Sequence, residues 1–208
     1  MIYRDKKIFV FRNYTIEPLF SKYKSIEYSN YDGFDGFSGK YDLFLWLYLC
    51  PVKNDPKLLV HEIDNIYNKL ELSLTSLVER KTSMLIFTLE NWVPFSFQNS
   101  NFEVVDAINN YNSKIRELEG KHDFIKIIDL SDFTSEFSKK DLIDWKFYYI
   151  SQMMLNPKLA KPFQSWFTKK IDSIFSFRKK YPNIARNKIC RDIIKFVFAT
   201  VVLYIAKT

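Results

Sequence analysis

Apolar residues in this chain gather in two ways. Some form short, nearly continuous runs: Ile8-Phe9-Val10-Phe11, Tyr41 to Leu49 (YDLFLWLYL), Ser83 to Leu89 (SMLIFTL) and Phe124 to Leu130 (FIKIIDL). Runs of this length suit strands buried on both faces of a parallel sheet. Ser25 to Ser29 supplies a shorter strand candidate. Elsewhere apolar positions recur every three or four residues, the spacing of one helix face. Asp55-Pro56 opens such a stretch, running to about Lys81 with the stripe Leu59, Ile63, Ile66, Leu70, Leu74 and Leu77. Phe102 to Leu118 carries Val105, Ile108, Tyr111, Ile115 and Leu118, with Gly120 as a C-terminal stop. Two further helices are expected, one around Asp141 to Leu155 and one from Pro157 to about Tyr181. Strands alternating with helices of these lengths predict a three-layer α/β/α sandwich around a parallel sheet of about five strands, flavodoxin-like in plan.

The connections carry the candidate chemistry, because open α/β sheets bind ligands where strands give way to helices at the carboxyl edge. The first strand ends in the polar corner Arg12-Asn13-Tyr14-Thr15. Thr15 is placed to cap a following helix, with Glu17 at its positive end and Pro18 in its first turn. This corner is the first candidate site; the plainer alternative is a connection in which Thr15 only caps. Asn30 to Lys40 holds three of the four glycines and reads as a loop, as does Val93 to Asn101. Ser131 to Lys140 reads as a connection with room for a helical turn.

Charge changes the picture at one end. Residues 157–208 hold 12 Lys and Arg against Asp172 and Asp192, whereas residues 1–156 carry a small acidic excess. A basic C-terminal quarter suits an acidic partner protein or anionic lipid, and a solvated basic face is the commoner case. Phe196 to Ala206 is apolar for eleven residues, short of a bilayer span, and fits a packed terminal helix or a surface-lying one. Cys50 and Cys190 stand outside any CxxC or Cys/His spacing, as in a reducing cytoplasm. Arg4, Asp5, Lys6 and Lys7 interrupt the start before any signal-like apolar run. With so few glycines there is no GxGxxG and no GxxxxGK[ST], so no nucleotide cofactor is expected. His61 and His122 belong to no metal or relay spacing and read as surface or packing histidines, and no metal site is expected.

Several short motifs stand in a recognisable order: NYTIEPL after the first strand, SGKYDLFLWL, a strand ending in ENW, and DWKFYYISQMMLNPKLAKPFQSWF. Over roughly Lys6 to Tyr181 this resembles the N-terminal SGNH-hydrolase-like domain of FkbH-like proteins. Those proteins serve polyketide and surface-polysaccharide pathways. In them the domain precedes a HAD-type phosphatase domain, which loads a glyceryl group onto a carrier protein. The resemblance places the SGNH nucleophile where this chain has Asn13, Tyr14 and Thr15, and the oxyanion-side glycine near Gly33 or Gly36. It places the oxyanion-side asparagine at Asn91. The final Asp-x-x-His block falls near Asp141, Asp144 and Lys146, where no histidine stands. Ester hydrolysis by the usual relay loses several orders of magnitude without a base beside a serine.

Together these readings give an SGNH-like domain over residues 1–181 and a basic helical appendage over 182–208. The expected function is binding of an acyl or glyceryl carrier or a sugar intermediate in polysaccharide or polyketide biosynthesis. The alternatives are an esterase or acyltransferase with an atypical site at Thr15, Asp141 and Asp144, and a membrane-associated scaffold. Arg12, Asn13, Tyr14, Gly33, Asn91, Trp92 and Lys146 are the candidate substrate contacts, with Trp92 and Trp145 as aromatic walls. An acyl carrier protein or the neighbouring HAD-type domain is the expected partner, and nucleic acid is not. The expected location is cytoplasmic, with peripheral attachment to an anionic membrane through residues 182–208 as a further option. No DxDxT motif, the phosphatase signature, follows any strand.

Overall fold

A computed structural model describes residues 6–33, 39–53, 55–80, 82–92 and 102–180. Five parallel strands form one sheet in the order β2-β1-β3-β4-β5: β1 (Ile8–Arg12), β2 (Ile26–Tyr28), β3 (Leu43–Leu47), β4 (Ser83–Phe87) and β5 (Ile125–Ile128). β1 and β3 are buried along their whole length, as their apolar runs require of central strands. The helices are α1 (Pro56–Arg80), α2 (Phe102–Lys121), α3 (Ser131–Thr134), α4 (Lys139–Leu142), α5 (Trp145–Ser151) and α6 (Ala160–Lys180).

Side chains alternate across the sheet and so build two cores. On one face Phe9, Phe11, Phe44, Trp46 and Ile86 meet the buried stripes of α1 and α2. On the other, Phe87 reaches Phe167 at the start of α6, and Phe20 and Phe133 pack edge-on against Phe163 and Phe167. The architecture is therefore a three-layer α/β/α sandwich. The chain divides into two compact units, residues 1–168 and 169–208, and the sheet with both its layers lies in the first. Of the second unit only residues 169–180, the end of α6, are described. The expected appendage over 182–208 and the expected loop from Val93 to Asn101 lie outside the described residues, as does Gly36.

Several expectations are corrected. Thr15 caps no helix: a 3-10 turn, Glu17–Phe20, starts after Ile16 without a side-chain cap. Gly120 does not stop α2, which runs through it to Lys121. Val104 rather than Val105 joins the buried face of α2, because a step of four from Ile108 keeps the alternating three-four spacing while a step of three drifts outward. Strands β3 and β4 also end two residues earlier than their apolar runs. In each case an asparagine side chain takes over, from the loop after β1 for Leu49 and from α2 for Leu89. Asn13 bonds both main-chain groups of Leu49, at 2.7 and 2.9 Å, and Asn112 does the same to Leu89, at 3.0 and 2.9 Å. The helix expected around 141–155 shortens to α5, started by Asp144 and ended by Gln152 in a left-handed conformation.

Candidate functional site

Because all five strands are parallel, every strand-to-helix loop leaves from one edge. The chain runs from β1 outward to β2 and then returns to β3 on the other side of β1. Loops diverge at such a switch point and leave a crevice. A cleft of about 410 Å³ lies here. Asn13 and Tyr14 enter it from the β1 loop, Asp32 from the β2 loop, and Val52 and Lys53 from the β3 loop. Opposite stand Tyr148 and Tyr149 of α5 and its terminal Gln152.

The β1 loop works mainly as a brace. The buried Arg12 guanidinium pairs with Glu17, donates from Nε to the Ser29 carbonyl at 3.2 Å, and lies 4.5 Å from the Tyr31 ring and 5.1 Å from the Tyr28 ring. Burial and the Glu17 charge, opposed by Arg12, push the Tyr28 phenol up to about 12. Asn13 uses its amide on Leu49. Tyr14 accepts from the Val52 amide at 3.2 Å, and its ring centre lies 6.0 Å from that of Tyr148. Burial first, and then Tyr148 beside it, raise the Tyr14 phenol far above its ordinary value. Thr15 donates from Oγ1 to the Ser151 carbonyl at 2.6 Å, has the Tyr31 hydroxyl at 2.7 Å, and donates its amide to Gln152 at 3.0 Å. The loop thereby ties the C-terminal end of α5 to β1.

The structure places the remaining candidates as follows. Gly33 donates its amide to the Asn30 carbonyl within a tight turn. Asn91 and Trp92 lie on the same sheet edge as Asn13 but two strands across, roughly 10 Å away. Trp92 is 2% exposed, and Asn91 Oδ1 is buried without a partner among the described residues. Asp144 accepts from the Lys146 and Phe147 amides at the start of α5, and Asp141 accepts from the Ser138 hydroxyl at 2.6 Å. Lys146 is exposed. Thr15 and Asp144 thus hold opposite ends of a seven-residue helix, about 10 Å apart. Trp145 is half-buried against Tyr148 and Tyr149, so it backs the aromatic wall of the cleft. His61 faces Asn65 on α1, and His122 precedes β5 at the opposite edge of the sheet.

Sequence reasoning did not single out Asp32, Lys53, Tyr148, Tyr149 or Gln152. One structural signal sets two of them apart. Asp32 (φ 56°) and Gln152 (φ 53°) are the non-glycine residues of positive φ among those described, and both line the cleft. Strain of this kind concentrates at functional sites. Lys53 pairs with Glu62 at 3.2 Å and Asp32 with Lys69 at 3.4 Å, so the rim's charges are matched.

A second polar cluster sits at the ends of β4 and β5. Asp129 accepts from Ser131 and Thr88 and pairs with Arg116 at 2.7 Å. Desolvation works against its ionised form, but the Ser131 bonds, Arg116 and Thr88 outweigh it and hold the carboxyl below its ordinary range. Glu90 is raised by burial and by Asp129, against the weaker pull of Arg116 and Lys139. Among the described residues no group of three or more His, Cys, Asp or Glu could hold a metal, and no helix is long and apolar enough to cross a membrane.

No protein-family model matches the chain, and no curated protein does. Among solved structures, it is similar to the N-terminal part of the protein BF1531 from Bacteroides fragilis, a crystal structure containing a phosphatase domain complexed with Mg. The TM-score is 0.57 at 11% identity, over 81% of this chain and 52% of that one, so the chain spans about half the length of that structure. At this identity the likeness shows a shared α/β fold.

Proposed function

We propose that the chain is the SGNH-like domain of an FkbH-like protein, and that it holds a carrier-borne intermediate in the β1/β3 cleft without hydrolysing it through a serine–histidine relay. The observation that carries this reading is the occupation of Thr15. The only side-chain hydroxyl in the β1 corner besides the Tyr14 phenol bonds Ser151 and Tyr31, and neither histidine is among the residues that line the cleft. A hydroxyl bonded in this way, to a carbonyl and a phenol rather than to a histidine, is poorly placed to attack an ester. The fold shared with a structure that also contains a phosphatase domain supports the association with such a domain, which here acts in trans or on a longer chain. The basic excess of residues 157–208 suits an acidic carrier protein.

Titration calorimetry of the full chain with a bacterial acyl carrier protein carrying a glyceryl thioester tests this. Binding that weakens with salt and with Tyr149→Ala supports the reading. No heat at low salt, or binding indifferent to Tyr149→Ala, overturns it.

A further inference from the structure

Resting on that reading of the cleft, we infer that its ligand presents a neutral, polyhydroxylated ring, a sugar unit, rather than a phosphate or an acyl chain. The wall opposite the β1 loop is aromatic. Tyr148 contacts Tyr14, Trp145 and Tyr149 through ring centres 6.0, 5.6 and 5.2 Å apart, and Tyr149 is 71% exposed. The negative face of such a ring attracts the polarised C–H groups on one side of a pyranose. The other groups in the cleft are hydroxyl readers. Gln152 offers a carboxamide donor and acceptor that bonds no described residue. Its own main chain is fixed at both ends, its amide to Tyr148 and its carbonyl to Thr15. Asp32 and Glu62 add carboxylate acceptors. A carboxamide and carboxylates beside a ring face form the pattern that pairs with several adjacent hydroxyls.

Charge argues against the alternatives. The charged side chains lining the cleft are Lys53 against Asp32 and Glu62, and Lys53 is already paired with Glu62. Asp32 is paired in turn with Lys69, so a phosphate would have to break one of these pairs to meet a cation of the rim. Ile66 and Val52 are aliphatic side chains in the lining, but an acyl chain laid there would take water from the ion-paired carboxylates beside them and offer no hydrogen bond in exchange. The left-handed backbone at Gln152 adds a further reason. A C-cap in that conformation favours glycine, so a glutamine there carries a strain that its side chain must justify.

The test is a set of ¹⁵N NMR titrations of the full chain with four probes: methyl β-D-glucopyranoside, methyl β-D-galactopyranoside, inorganic phosphate and N-hexanoyl cysteamine. The expected result is that at least one glycoside shifts the amides of Tyr149, Gln152 and Lys53 while phosphate leaves them in place. Gln152→Gly, which relieves the backbone, should stay folded and weaken the glycoside about tenfold. Phosphate shifts without glycoside shifts overturn the inference, as does a glycoside affinity unchanged in Gln152→Gly. Hexanoyl shifts at these amides with silent glycosides also overturn it, yet leave the carrier reading standing. Silence of all four probes overturns the sugar inference alone, since the carrier titration above decides the broader reading independently.

Discussion

Replacing Asn13 by alanine separates a structural asparagine from a ligand-binding one. Its amide donates to the Leu49 carbonyl at 2.7 Å and accepts from the Leu49 amide at 2.9 Å, continuing the β1–β3 ladder by one step. Leu49 is 2% exposed, so water cannot replace both bonds. Each bond contributes roughly 0.5–1.5 kcal/mol net, and a buried main-chain group left unpaired costs about 1–3 kcal/mol. A loss of about 2–3 kcal/mol follows. For a domain of this size 1 kcal/mol corresponds to roughly 2–4 °C in Tm, which gives a drop of about 4–12 °C. Urea unfolding followed by tryptophan fluorescence measures the loss, with calorimetry for Tm. Asn13→Asp should be at least as harmful, because a carboxylate accepts from the Leu49 amide but repels its carbonyl. Asn112→Ala, removing the matching clasp on Leu89, is the internal control and should cost a similar amount. An Asn13→Ala protein within about 0.5 kcal/mol of wild type would refute the clasp, and lost ligand binding in that same protein would assign Asn13 to the cleft's chemistry.

Other outcomes are as specific. Gly120→Ala should stabilise by roughly 0.5–1 kcal/mol in urea unfolding, because Gly120 lies inside α2 and an added Cβ meets nothing within 4 Å; destabilisation would mean that the helix ends before it. Short-chain nitrophenyl esters should turn over no faster than background, and turnover that vanishes in Thr15→Ala would make Thr15 a nucleophile and reject the binding reading. Glu90→Gln should stabilise the fold at pH 7. Burial and Asp129 raise the folded carboxyl above its unfolded value, so ionising it costs stability at pH above the folded value, and that cost fades as pH falls toward about 4.3. Unfolding free energies from pH 4 to 8 check this, and a loss at pH 7 would show that the Glu90 carboxylate has a stabilising partner.

The middle of the sheet was legible in the sequence because β1, β3 and β4 are buried on both faces, and a near-continuous apolar run such as LFLWL has few other homes. The stripe of α1 was equally plain, since all six of its predicted positions are buried. What failed lay at ends and caps. A sequence shows that Asn13 and Asn112 can accept and donate, but not that Asn13 reaches the residue beyond the end of β3 or that Asn112 reaches back from α2 to the residue beyond β4. Thr15 and Asp144 illustrate the same limit from two sides. Both are good capping residues, yet only Asp144 caps, because Thr15 is drawn off by Ser151, 136 positions later. The β1 corner was a sound pointer to the switch point, but the residues facing the cleft from α5 gave no local signal. WKFYYIS is rich in aromatic residues, yet none of its side chains is buried.

That inversion has a physical consequence for the cleft. A seven-residue helix without a buried face has little hydrophobic hold on the body, and a helix so short is marginal by itself. It is positioned instead at its ends, by Asp144 at the start and by Thr15 at the finish, with Met153, Met154 and Leu155 anchoring the chain immediately after it. The tyrosines it presents are therefore held by polar bonds and ring contacts rather than by core packing. Most donors and acceptors of the β1 loop are turned inward, onto Leu49, Ser29, Ser151 and Gln152. The side of the cleft free to meet a ligand is accordingly the α5 side, a short aromatic helix that Thr15 fastens to the β1 loop.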